Sequence, residues 1–293
     1  MERRKFGNSG IDVSILGYGA GHIGAESLDE KESEKILNRV VDMGINLIDT
    51  ARGYGLSEER IGKYLSHRRS EIVIATKVGY GVEGYQDWTY DCVREGIDRA
   101  LRVMKTDYID IVNLHSCPKE TLERYDVIKA LLDARDAGKI RLAGYSGEND
   151  ELWHAVEYGQ FQGVECSVNI CDQKSIDGQI ARAKERGIGV IAKRPIANCP
   201  WRYATQPFGN YCEEYWKRMK KMNLPNFGYD FDELFLRFTL STQGVSSAIA
   251  GSINIEHIKR NVEIANKGAL GEEIYSEIRR IFNQNEENWR GEI

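Results

Sequence analysis

Short apolar runs rich in β-branched residues alternate with longer stretches of helical spacing along the whole 293-residue sequence. The runs fall at 14–18, 45–48, 72–76, 108–114, 140–145, 163–168, 189–192 and 247–250. The helical stretches fall near 29–43, 57–65, 89–104, 119–137, 149–158, 174–186, 230–241 and 255–266. Such alternation builds βαβ units, and these build a parallel sheet. Several runs, residues 109–114 among them, are largely apolar, as strands covered on both faces are. Eight strands with eight helices favour a closed (β/α)8 barrel, the TIM-barrel class of α/β fold, over an open sheet.

The helix punctuation agrees. Ser27 with Glu30 three places later reads as a capping box, and Gly138 and Gly187 stand where helices should stop. No linker or low-complexity tract interrupts the rhythm, so residues 1–293 read as a single domain. One segment departs from it. After the seventh strand, residues 196–229 are crowded with aromatics, including Trp201, Tyr203, Phe208, Tyr211, Tyr215, Trp216, Phe227 and Tyr229. Barrels build their sites from the loops that follow the strands, so this insertion reads as a substrate lid or pocket wall. The alternative is a small helical excursion with its own core.

Composition narrows the function. Forty basic against forty-five acidic side chains give a net charge of -5, without the basic excess of a nucleic-acid partner. The six cysteines (Cys92, Cys117, Cys166, Cys171, Cys199, Cys212) are scattered without a C-x-x-C pair and read as reduced thiols. Five histidines (His22, His67, His115, His154, His257) without H-x-H or H-E-x-x-H argue against a metal-dependent hydrolase, and no metal is expected. No apolar run approaches the roughly 20 residues of a membrane helix. The opening MERRKFGNSG lacks the apolar centre of a secretory signal. The expectation is a cytoplasmic protein without a membrane partner.

Gly19-Ala20-Gly21-His22-Ile23-Gly24 spells G-x-G-x-x-G after an apparent strand, and Asp49 ends the next strand, as in a Rossmann dinucleotide site. Two features weaken that reading. A Rossmann helix opens within the glycines, whereas the best helix start here is the capping box beyond Gly24. Asp49 also lies 25 residues past Gly24, somewhat late for the ribose carboxylate.

A different constellation carries the chemistry. Asp49 and Tyr54 stand five apart after the second strand, Lys77 ends the third, and His115 ends the fourth. Each alone has an ordinary explanation, as a capping acid, a packed ring, a solvated amine or a core imidazole. Together they fall on the carboxyl-terminal rim, where barrels place their chemistry. The segment Asn46-Leu47-Ile48-Asp49-Thr50-Ala51-Arg52-Gly53-Tyr54-Gly55, with Ile74-Ala75-Thr76-Lys77 and Tyr108-Ile109-Asp110-Ile111-Val112-Asn113-Leu114-His115, resembles the aldo-keto reductase family. The likeness runs over nearly the whole chain, including residues 106–110 and the closing 251–261 segment.

The resemblance implies an NAD(P)H-dependent oxidoreductase that reduces an aldehyde or ketone to an alcohol. Tyr54 would be the proton donor and Lys77 the neighbouring ammonium that lowers its pKa. Asp49 would hold Lys77, and His115 would orient the substrate oxygen as neutral imidazole. A tyrosine with pKa about 10 is otherwise a reluctant acid at neutral pH.

The resemblance also implies a cofactor contact surface at Gly19, Ala20 and Asp49, and at Ser146 in Gly144-Tyr145-Ser146-Gly147, where Gly147 replaces the usual asparagine. Glu165 stands for a common glutamine, and Ala192-Lys193-Arg194-Pro195-Ile196 for tyrosine-serine-proline-leucine. Lys193 and Arg194 then either cover the nicotinamide face, bind phosphate, or merely end a strand in solvent. Gly251, Ser252 and Asn254 after the eighth strand read as a phosphate site at a helix N-terminus, His257 stands for an arginine of NADPH-preferring relatives, and Asn261 fits adenine. Lys259 and Arg260 keep the area basic, which favours NADPH, with NADH as the alternative. Arg52, Trp88, Trp201, Arg202 and Tyr203 are the substrate-pocket candidates, suited to a sugar or another polar carbonyl. The rival reading is a nicotinamide-binding regulatory subunit with little turnover, as in relatives of the potassium-channel β-subunit.

Overall fold

Two short strands, β1 (Arg3–Lys5) and β2 (Asp12–Ser14), pair antiparallel ahead of everything else. The structure, a computed structural model, describes residues 1–158 and 160–292. Phe6, at the tip of this hairpin, is fully buried. An ideal Cβ on Gly163 would come within 2.8 Å of its ring and one on Gly189 within 2.5 Å, so the two strand-opening glycines make room for it. The hairpin therefore plugs one end of the main sheet.

That sheet is a closed barrel of eight parallel strands. They are β3 (Leu16–Gly19), β4 (Leu47–Asp49), β5 (Val73–Val78), β6 (Ile109–His115), β7 (Ile140–Ser146), β8 (Gly163–Ser167), β9 (Gly189–Lys193) and β10 (Ser247–Ala250), with β10 returning to β3. The helices are α1 (Glu30–Asp42), α2 (Ser57–Tyr64), α3 (Tyr90–Met104), α4 (Lys119–Arg124), α5 (Asp126–Asp136), α6 (Asn149–Tyr158), α7 (Ala181–Glu185), α8 (Glu213–Lys221), α9 (Phe231–Ser241), α10 (Ile255–Ala265) and α11 (Glu272–Asn285). The expected single-domain (β/α)8 architecture is present, with the Rossmann alternative excluded by closure of the sheet.

Two apolar cores hold it together. The larger lies between strands and helices, and the smaller fills the barrel around Phe6, Leu47, Ala75, Ile111, Leu142 and Ile249. Side chains alternate along a strand, so each inward column climbs in steps of two. Leu47 is followed by Asp49, Ala75 by Lys77, Ile111 by Asn113 and then His115. The columns start apolar near the plug and end polar at the opposite rim. That gradient puts the chemistry at the carboxyl ends.

Local punctuation differs from the sequence reading in four places. The cap of α1 is Asp29, whose carboxylate accepts from Lys31 N and Glu32 N, so Ser27–Glu30 is not the capping box. The expected 119–137 helix is broken at Tyr125, which adopts φ +70. The 174–186 stretch opens as a π-type turn over Ile176–Ile180 before α7. The hairpin, α8 and α11 are additional to the eight strand–helix units read from the sequence. Replacing the plug, Phe6→Ala, should cost about 3–5 kcal/mol, as for other buried aromatics. Urea unfolding should register a lower midpoint; an unchanged midpoint would mean that the hairpin contributes nothing to the barrel.

Candidate active site

The Asp49–Tyr54 segment leaves the rim as a tight turn held from below. Tyr54 N donates to Ala51 O and Leu56 N to Gly24 O, each at 3.0 Å. An ideal Cβ on Gly24 would lie 1.6 Å from Tyr54 O, so only glycine lets the two backbones meet. Ser57 Oγ donates to Ala20 O and accepts from Thr50 Oγ1, both at 2.8 Å. The glycine motif is thus the bed of the tyrosine loop. Helix α1 begins at Glu30, well past the glycines, and opens no N-terminus among them.

Lys77 is 1% exposed. Its ammonium donates to both Asp49 oxygens at 2.6 and 2.8 Å and to Thr50 O at 3.1 Å. Glu165 Oε1 lies 3.3 Å away, and the Tyr54 ring centroid 5.3 Å. Burial alone would discharge the amine, but the two carboxylates outweigh it and raise its pKa. Asp49 is pushed up by burial and by Glu165, against the pull of Lys77. Burial also pushes the Tyr54 phenol up to about 12; Lys77 opposes this, while Asp49 and Glu165 add to it. The expected lowering of the tyrosine pKa is therefore outweighed: Lys77 acts in the anticipated sense, but desolvation and two carboxylates win.

His115 stands edge-on to Tyr54, with ring centroids 6.1 Å apart. Burial first, then Lys77, pull its pKa down to about 4, so the imidazole is neutral at pH 7. Its Nδ1 is 2.9 Å from the hydroxyl of Tyr80, a residue for which the sequence offered no signal.

These groups open into a cavity of about 1090 Å³. Asp49, Tyr54, His115, Ser146 and Glu165 line one part of it. Gly19, Gly251, Ser252, His257 and Asn261 line another, around the N-terminus of α10. Asn254 caps that helix by accepting from Glu256 N, and so shapes the site without lining it. Ala20, expected at the cofactor surface, is fully buried and does not line the cavity: its carbonyl accepts from Ser57 Oγ and its N–H donates to Asp49 O. Lys193, Arg194, Pro195 and Ile196 complete the wall, with Trp201 and Arg202 from the insertion. Arg52, Trp88 and Tyr203 do not line the cavity: Arg52 reaches the Tyr80 carbonyl at 3.4 Å, Trp88 packs on Tyr80, and Tyr203 O accepts from Trp216. The insertion also contributes Asn198, Cys199 and Tyr211 to the lining, none of them among the substrate-pocket candidates. Between residues 194 and 199, Arg194, Ala197, Asn198 and Cys199 all hold positive φ, a strained run of the kind that gathers at ligand sites.

The chain matches the Aldo/keto reductase family over residues 15–283. The chain belongs to that family. It is 28% identical to the uncharacterized oxidoreductase YqkF of Bacillus subtilis, over 93% of this chain and 94% of that protein. It is 27% identical to L-galactose dehydrogenase of Arabidopsis thaliana, over 96% and 94%. The holo form of aldo-keto reductase AKR11C1 from Bacillus halodurans superposes with a TM-score of 0.83 at 28% identity, covering 96% of each chain. The protein is accordingly an NAD(P)H-dependent oxidoreductase acting on carbonyl groups.

The departures of this aldo/keto reductase from its family pattern have local reasons. A Cβ on Gly147 would sit 2.4 Å from the Tyr145 hydroxyl, so no asparagine fits there without displacing the ring. Glu165 turns to Lys77 and accepts from Asn113 Nδ2 at 3.3 Å. Lys193 pairs with buried Glu148 at 3.1 Å, and Arg194 donates to Glu292 O at 2.9 Å and to the Tyr211 hydroxyl. The basic end of β9 is therefore tied down, not left in solvent.

The neutral imidazole makes a pH prediction. An unfolded histidine takes up a proton near pH 6.5 and His115 only near about 4. Its contribution to stability should be complete above about pH 6.5 and decline as pH falls toward 4, because the unfolded state binds the proton first. NMR titration of the folded protein should find His115 neutral at pH 5.5; a midpoint near 6.5 would contradict desolvation of the ring.

Proposed function

We propose that this enzyme reduces a small polar aldehyde or ketone, sugar-like in character, with NADPH as hydride source and Tyr54 as proton donor. The observation that carries the reading is the meeting of Asp49, Tyr54 and His115 at one wall of a single cavity, with Lys77 buried behind them on Asp49. The name of the Arabidopsis relative, L-galactose dehydrogenase, supports a polyhydroxy substrate, as does a rim that mixes Asn198, Arg202 and Asp232 with Trp201 and Tyr211.

The donor set fits a dinucleotide. A Cβ on Gly251 would meet Gly19 O at 2.4 Å, so two bare backbones frame the floor of the cavity. The N-terminus of α10 favours phosphate, and the Ser252 hydroxyl, which accepts from Asn254 N, would donate to it. Ser252 Oγ and His257 Nδ1 lie 3.5 Å apart and would take an adenosine phosphate, and Asn261 would take adenine. Arg260 also lines the cavity but is engaged by Asp230 and Asp232. Ser146 and Glu165 would face the nicotinamide end. When bound, reduced nicotinamide supplies the hydride.

The protein's part is proton supply and orientation. Tyr54 keeps its proton throughout the physiological range, so the acid form is always populated. An alkoxide is a far stronger base than a phenolate, so donation from a weakly acidic phenol still runs downhill. Lys77 limits the cost of the phenolate that forms, and Asp49 holds Lys77 charged. His115, neutral, donates a hydrogen bond to the carbonyl oxygen and fixes its approach. General-acid assistance of this sort contributes roughly 10²–10⁴ in rate.

Tyr54→Phe keeps the ring and removes the proposed acid. Carbonyl reduction, followed by loss of NADPH absorbance with a panel of aldoses and simple aldehydes, should fall by roughly 10²–10⁴ with cofactor affinity nearly unchanged. A variant at close to the parental rate would remove Tyr54 from the mechanism. Changing Ser252 and His257 together to alanine should weaken NADPH much more than NADH; equal weakening would place the 2′-phosphate elsewhere.

A further inference from the structure

His115 presents two nitrogens, and a neutral imidazole carries a proton on only one of them. Which one decides whether it can donate into the cavity at all. His115 lines the cavity, and its Nδ1 points to Tyr80, which does not. The nitrogen left facing the cavity is Nε2.

Tyr80 is well placed to dictate the choice. Its hydroxyl is 2.9 Å from Nδ1, and its ring lies nearly parallel to the imidazole, at 27° with centroids 5.5 Å apart. No other hydrogen-bond partner of that hydroxyl occurs among the described residues. An imidazole nitrogen is a much better acceptor than a phenol oxygen, and a phenol, with pKa about 10, is a better donor than a neutral imidazole N–H. The bond therefore runs from Tyr80 O–H to a bare Nδ1.

The surroundings hold Tyr80 in this pose. Trp88 packs against its ring, with centroids 5.7 Å apart, and donates its backbone N–H to Gly79 O at 2.7 Å. Gly79 has φ +133, and a Cβ there would come within 2.2 Å of the Trp88 ring. The glycine lets the chain turn off the end of β5 so that Tyr80 reaches across to β6. Arg52 reaches the Tyr80 carbonyl from the tyrosine loop. Arg52 and Trp88 thus brace Tyr80.

We propose that Tyr80 is a positioning residue that locks His115 in the Nε2–H tautomer, so that the imidazole enters the reaction already aimed as a hydrogen-bond donor. The proposal rests on His115 as the donor to the carbonyl oxygen, but its first test does not. Strand β5 and the turn that follows it then serve both halves of the site, Lys77 behind Tyr54 and Tyr80 behind His115.

The experiment uses full-length protein labelled with ¹⁵N in the histidine rings, with His115 assigned by the signal missing from His115→Gln. Near pH 7, long-range proton–nitrogen correlation should find Nε2 protonated and Nδ1 bare. In Tyr80→Phe the same ring should become a mixture of tautomers. A protonated Nδ1 in the parent, or an unaltered tautomer in Tyr80→Phe, would overturn the proposal whatever the activity. With the best carbonyl substrate, Tyr80→Phe should lower kcat about three- to tenfold, the factor an ordinary hydrogen bond carries, at unchanged cofactor affinity. An unchanged kcat beside a scrambled tautomer would also sink it. If instead Tyr54→Phe retains its rate while the tautomer behaves as stated, the reductase mechanism fails and the Tyr80–His115 lock survives.

Discussion

The ammonium of Lys77 is buried at the polar end of a barrel whose other end is filled with hydrocarbon, and the rest of the rim is arranged around it. Burying a lone cation costs several kcal/mol, so it survives only with close, well-directed acceptors. Here these are Asp49 from β4, the Thr50 carbonyl just beyond it and Glu165 from β8. Glu165 lies more than a hundred residues beyond Asp49 and Thr50 in the chain, and the register β4–β5–β6–β7–β8 is what brings them level. A one-residue slip in β4, β5 or β8 would turn a charged side chain outward into the helix layer. The ion cluster thus makes strand register and site integrity the same requirement.

Electrostatics at the rim derive from this cluster and from desolvation. Two carboxylates against one ammonium leave little cation to spare for the Tyr54 oxygen, and burial does the rest, so the phenol holds its proton tightly. The same burial and the same ammonium keep His115 neutral. The site therefore rests with an undissociated phenol and an uncharged imidazole side by side. Both are hydrogen-bond donors, suited to an oxygen that gains negative charge.

Glycines do the positioning where side chains would obstruct. Gly24 admits the Tyr54 loop, Gly251 approaches Gly19, and Gly79 turns Tyr80 toward His115. The G-x-G-x-x-G spelling at 19–24 is a consequence of such packing. Its resemblance to a nucleotide fingerprint is one of letters, because the helix that would give the letters their meaning starts elsewhere.

Much of this was legible in the linear chain. Short, largely continuous apolar runs alternating with stretches of helical spacing determine eight strand–helix units, because the strands of a helix-covered parallel sheet are buried on both faces. Asp49, Tyr54, Lys77 and His115 could be singled out because each lies at or just past the end of a strand, and strand ends share one rim. What the chain could not express were contacts between elements with no fixed spacing. Only the folded barrel turns Glu165 toward Lys77, sets Tyr80 on His115, draws Arg52 and Trp88 away from the cavity and brings Tyr211 into it. Those choices depend on side-chain direction and register across different strands and loops, and a linear pattern carries neither.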